Sequence, residues 1–341
     1  MSKAIPILHR FALAILAFLL AISVFAARTQ AAWPGPEGTI FYRGLKPGFE
    51  AEGWEPTGLS EIGLGAFGTA SSLTAEASDA DPQISPDGRL IVFTRGIEPN
   101  PNGFPTAQAI FVMQRDGTGL RRLTSPPSTT SDREPTFSPS GRRVFFVRLG
   151  DETVRGTNHG DIYSVDLDGG GLRQITSGTA ADFSPAVSPR GRQLVFSRGG
   201  WRLANGERAG SQHIFSIRLN GSHLWDLTPK LEPGAPAADP DFSPNGRTIA
   251  FGIGYRSDSD LFTMRANGGR LKRLTGRHTH AVLHGYGYSE PAFSPAGGRL
   301  FAVAINAYNT ELARIELNDP DHPSRLRAGD QPVSAPALRG R

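Results

Sequence analysis

No cysteine occurs in the 341 residues. That removes disulfides, thiolate metal sites and a cysteine nucleophile, and it leaves the redox compartment open. Helical patterning is missing too: beyond residue 32 no segment carries an apolar stripe of helical period, which excludes helical solenoids and bundles. Nor is there an excess of one charge in the body of the chain. Lys and Arg number 36 against 32 Asp and Glu, but Lys3, Arg10 and Arg28 lie in an N-terminal stretch with no acid. Without residues 1–31, 33 basic residues face 32 acidic ones. The sequence pI of 9.6 is therefore no nucleic-acid footprint, and no nucleic-acid partner is expected.

One long apolar run is present, "FALAILAFLLAISVFAA" at 11–27. It follows Lys3, His9 and Arg10 and precedes the small residues Ala31 and Ala32, the layout of a secretory signal. Residues 1–31 are read as a signal peptide cleaved after Ala26 or Ala31. If it is retained, the run would be an N-terminal anchor, since 17 apolar residues lie at the lower limit for a membrane span. Either outcome makes the remainder periplasmic or extracellular, with membrane contact only through an uncleaved N-terminal segment.

Glycine and proline are plentiful, 41 and 27, and they fall in a repeated sentence. "DPQISPDGRLIVFTR" at 81 returns as "EPTFSPSGRRVFFVR" at 134, "SPAVSPRGRQLVFSR" at 184, "DPDFSPNGRTIAFGI" at 239 and "EPAFSPAGGRLFAVA" at 290. The starts are 53, 50, 55 and 51 residues apart, a period of solenoids or propellers. Within each repeat an inner strand leads to a Ser-Pro-x-Gly turn, where proline presets φ and glycine takes the positive-φ position. A continuous apolar strand follows, then a third such as "DIYSVD" at 161. The hairpins Asp116-Gly117, Asp168-Gly169, Asn220-Gly221 and Asn267-Gly268 suit a two-residue turn into an outer strand such as "LRQIT".

Four antiparallel strands per repeat make a propeller blade. Five repeats are complete. "GTIFYRG" from Gly38 resembles a second strand, and the segment from Ser60 a third and fourth. "APALRGR" from Ala335 supplies the missing inner strand. The expected fold is all-β: a six-bladed propeller of four-stranded antiparallel blades over 38–341, closed by the C-terminal strand completing the N-terminal blade.

The order "DPxFSPDG", apolar strand, "DIYxMxxDGxxxRxLT" resembles the TolB-like (WD40-like) β-propeller repeat family. That resemblance implies a periplasmic propeller that works with other envelope proteins. The family's type protein carries an α/β domain before its propeller, whereas here few residues separate the apolar run from the first blade. Similar propellers precede the hydrolase domain of prolyl oligopeptidase relatives, but this sequence has no G-x-S-x-G.

Turns joining strands one to two and three to four are short and formulaic, while the connections on the opposite face are long and individual. Binding residues are expected on that loop-rich face and at the channel mouth. Asp81, Glu134, Asp239 and Glu290 each open an inner strand, and Asp182 stands two before the equivalent Ser184. These acids could hold a divalent cation in the channel or a basic partner, or could accept backbone N–H bonds that lock blade to blade. "HTHAVLHGYGY" offers His278, His280 and His284 as metal ligands, with Tyr286 and Tyr288 beside them. Trp201 and Arg202 are binding anchors or blade caps. No nucleophile–base pair is recognisable. The chain reads as an exported non-catalytic scaffold for a protein or envelope polymer. The alternative is a metal-assisted polysaccharide lyase or hydrolase at the channel mouth.

Overall fold

The computed structural model describes residues 39–47, 54–63, 70–76, 78–99, 105–128, 130–150, 159–202, 208–231, 235–254, 259–276, 287–305, 310–325, 327–328 and 331–332. Every regular element among them is a strand. Blade one is built from Ala80–Ile84, Leu90–Pro99, Pro105–Gln114 and Arg121–Arg122. Four more follow over 131–174, 182–226, 237–273 and 287–325, each with four antiparallel strands paired in chain order. A single parallel pair, Gln108 with Ser131, joins blades one and two. Before them stands a three-stranded sheet of Thr39–Pro47, Trp54–Gly63 and Ala70–Ser72. Its third-type strand starts at Trp54, earlier than the expected Ser60, because pairing with Thr39–Pro47 continues past Gly58. The proposed closing strand at 335–341 lies outside the described residues.

The apolar second strand of each blade is buried because both faces of its sheet are covered. Val92, Ile110 and Val112 of blade one pack with Phe137, Val144 and Phe146 of blade two. Blade two in turn gives Phe145 and Ile162 to Leu194 and Phe196 of blade three. The same exchange joins blades three and four, and four and five. The core is thus a set of slabs between sheets, in which a fully buried Phe or Ile contributes about 1.5–3 kcal/mol.

Both families of turn adopt positive-φ glycine. Gly88, Gly141, Gly191, Gly246 and Gly297 hold φ of 64 to 73° in the inner turns. The hairpin turns differ from the two-residue form expected. In blade two Gly169 N donates to Asp166 O and Asp166 N to Gly170 O, both at 2.8 Å, which encloses three residues. Gly169 is at φ 92°, and Asp168 is not among the positive-φ residues. A two-residue type I′ turn would put both central residues there, whereas a type I turn followed by one left-handed glycine spares the Asp its Cβ clash. The outer strand then ends on a threonine. Thr124, Thr176, Thr228 and Thr275 accept the backbone N–H of Ile110, Ile162, Ile214 and Leu261 at 2.8–3.0 Å, extending a two-residue strand by side chain.

Candidate functional site

Asp81, Glu134, Ser184, Asp239 and Glu290, expected at the start of the inner strands, instead lie inside them at the second to fourth residue, and all have φ of 51 to 58°. Each precedes a proline, which disfavours the right-handed helical region, and each sits where the inner strand slips register against its neighbour. A left-handed non-glycine costs about 1–2 kcal/mol. What offsets it is bonding between blades. Asp81 Oδ2 accepts Thr94 Oγ1 at 3.0 Å and Glu134 N at 3.4 Å. Glu134 Oε2 accepts Ser184 N at 2.5 Å, and Ser184 Oγ donates to Asp239 Oδ1 at 2.7 Å. Two residues further along the blade-four strand, Asp241 Oδ2 accepts Phe293 N at 2.9 Å. The carboxylates at the mouth therefore hand hydrogen bonds from one blade to the next. Among the described residues no three His, Asp or Glu side chains gather where they could hold a metal ion.

Asp182 stands apart from that ring, in a second tier the sequence reading missed. Asp79, Asp132 and Asp182 are fully buried, and each receives a bidentate pair from an arginine. Arg95 Nε and Nη2 reach Asp79 at 2.6 and 2.7 Å, and Arg148 with Asp132 and Arg198 with Asp182 repeat those distances. Each guanidinium also lies over two rings: Phe93 and Phe111, Phe146 and Tyr163, or Phe196 and Phe215, at 5.0–5.6 Å. A signal was present, since acid and arginine are 16 residues apart every time. Blades four and five break the pattern, with Ala237 and Ile253, then Tyr288 and Ala304, at the equivalent positions. Tyr288 is accordingly 2% exposed, packed with Leu261 and Leu300.

Beside the blade-three pair, Asp161 accepts Gln174 Nε2 at 3.1 Å and lies 3.8 Å from His159 Nε2. Asp161 Oδ1 and His159 Nε2 are buried with no hydrogen-bond partner. Burial pushes the Asp161 carboxyl above its ordinary range, while His159 opposes the shift.

The long connections differ between blades in backbone as well as sequence. In blade one, Leu90–Pro99 and Pro105–Gln114 run 10 residues each; in blade three, Gln193–Arg202 and Arg208–Arg218 run 10 and 11. The same strands take 7 residues in blade two and 6 in blade four. The excess lifts two arms about 10 Å above the loop-rich face. Trp201 pairs with Ala209 and Arg202 with Arg208 at the end of the second arm. His278, His280, His284 and Tyr286 lie outside the described residues.

Sheets arranged edge-in, with cores between them and long connections on one face, define a β-propeller. No protein-family model matches the chain. An uncharacterized protein of Agrobacterium fabrum is 27% identical over 258 residues, covering 71% of this chain and 74% of that protein. The structure of putative TolB from Agrobacterium tumefaciens superposes with a TM-score of 0.50 at 22% identity, covering 72% of this chain and 83% of that one. TolB from Acinetobacter baumannii gives 0.51 at 16%, covering 82% and 67%. Hydrazine synthase of Kuenenia stuttgartiensis gives 0.64 at 15%, covering 88% of this chain and 47% of that one. At such identities the likeness is one of fold: the chain is a β-propeller, similar in fold to the TolB structures.

Proposed function

We propose that this chain is an exported, non-catalytic six-bladed propeller that holds a protein or envelope polymer on its loop-rich face. The six-bladed ring is completed when residues 335–341 supply the inner strand of the N-terminal sheet. The observation that carries the binding role is the pair of arms on blades one and three. Strand pairs that outrun their equivalents by three to five residues project as two β-ribbons beyond the inter-blade core, where they are open to a partner. The acids at the mouth, bonded from blade to blade, support a scaffold more than a reactive centre.

The test is chemical crosslinking and capture of the tagged protein in its native envelope, beside a variant whose arms are cut back at 98–106 and 201–208 and rejoined by short glycine turns. A partner held by the arms is captured with the intact protein and lost with the variant, while both melt alike. Equal capture by the two proteins would remove the arms from the function.

A further inference from the structure

The near-balance of charge in the whole chain conceals a segregation that the fold makes visible. The formulaic turns place an arginine directly after the glycine: Arg89, Arg142, Arg192 and Arg247 are all exposed. The hairpin turns lie against the inner turns, with Leu167 N donating to Arg142 O and Ala266 N to Arg247 O, both at 2.9 Å. Adjacent blades abut there too. A Cβ added at Gly141, Gly191 or Gly246 would lie 3.4–3.7 Å from the ring of Pro86, Pro139 or Pro189. All these turns therefore share one continuous face, opposite the arms.

Across blades two to four that face carries Arg142, Arg190, Arg192, Arg218, Arg247 and Arg265, all exposed, and none is ion-paired with a described residue. The acids in the same turns are Asp166, already bound by Arg143, and Asp168. Where each hairpin turn meets the outer strand, a large apolar side chain is exposed: Leu172 at 53%, Leu224 at 43% beside Trp225 at 68%, and Leu271 at 49%. Arg173 Nη2 bonds Asn220 O at 2.5 Å, tying this rim to the next blade's turn.

We propose that this loop-poor face docks on an anionic phospholipid bilayer, arginines to headgroup phosphates and the Leu–Trp rim into the interface. A polyanion such as nucleic acid would use the arginines but gives four leucine-and-tryptophan positions on the same rim no partner; a bilayer surface uses both. The direction of chain entry agrees. Thr39 pairs with Gly63 as Leu90 pairs with Gln114, so the first strand begins at the loop-poor end. If the apolar run at 11–27 is retained, the first described strand after it begins on the side that would face the membrane. The arms then point away from the lipid, toward their partner, although lipid docking does not depend on that partner existing.

A cysteine-free chain allows a local readout. Leu224→Cys and, on the opposite face, Ser125→Cys each receive an environment-sensitive dye in the full-length protein, which is mixed with phosphatidylglycerol or phosphatidylcholine vesicles. A blue shift at 224 and none at 125, on phosphatidylglycerol alone, is the expected result. Adding Arg190→Ser, Arg192→Ser and Arg218→Ser should weaken that response roughly 100-fold, at about a factor of five per arginine near an anionic surface. Equal shifts on both lipids, a shift at 125 only, an undiminished response in the triple variant, or displacement by an equimolar single-stranded oligonucleotide would each overturn the proposal. Circular dichroism and melting of every variant separate loss of docking from loss of fold.

Discussion

The buried acid–arginine pairs are the most consequential single residues in this chain. A fully buried carboxylate needs its partner, and removing one member of such a pair costs about 3–5 kcal/mol. Arg148→Met should therefore lower the melting temperature sharply, because Asp132 is left charged with nothing opposite. The chain supplies its own remedy: blade four fills the same two positions with Ala237 and Ile253. Adding Asp132→Ala to Arg148→Met, an apolar pair of the same kind, should recover most of the loss in a chemical denaturation series. If the double variant is no better than the single one, the pair does more than satisfy itself. Asp161 presents the opposite case, a carboxyl raised by burial. When the folded pKa exceeds the unfolded one, the folded state binds protons more readily, and stability falls as pH rises through the folded value. Asp161→Asn should melt higher than the parent at about pH 8 and lose that advantage well below the ordinary carboxylate range near pH 4. A gap that widened on acidification would reverse the sign.

The outer strands show how little regular structure an edge requires when side chains complete it. Thr176 accepts Ile162 N at 2.8 Å and also bonds Asp182, so one hydroxyl ties the outer strand to its neighbour and to the next blade. Thr176→Val preserves shape and leaves a buried N–H without its acceptor, at about 1–3 kcal/mol. Thermal unfolding of that variant beside Thr176→Ser, which keeps the bond, is the measurement. At this scale much was legible in the sequence. The Ser-Pro-x-Gly turns, the apolar second strands and the five complete blades stand where the repeats place them. The hairpins were misread by one residue because Asp-Gly and Asn-Gly suit both loop lengths, and only the hydrogen-bond ladder chooses. The inter-blade acceptors were half legible: Glu134 and Asp241 are evidently acids, but the backbone N–H each meets lies 50 and 52 residues away. Local chemistry does not name partners at that distance.

In the molecule as a whole, closure of the ring would give the N-terminal sheet the inner strand its three strands lack. Deleting residues 330–341 should lower the melting temperature markedly, since an open seam leaves two sheet faces without a neighbour. An unchanged melt would mean that the ring is closed in some other way, or not at all. Charge separates by face at this scale, and no composition count reveals it. Across blades two to four the turns collect six exposed arginines on one side against Asp166 and Asp168, while Asp132 and Asp182 of those blades are buried.

The three acid–arginine staples occupy blades one to three, and blades four and five have none. One run of blades is riveted and the other only pressed together, so strain ought to find the unriveted run first. Amide hydrogen exchange at 237–325 should outpace that at 80–226 as denaturant is raised, and a partner gripping the arms would be holding on to the side that does not give.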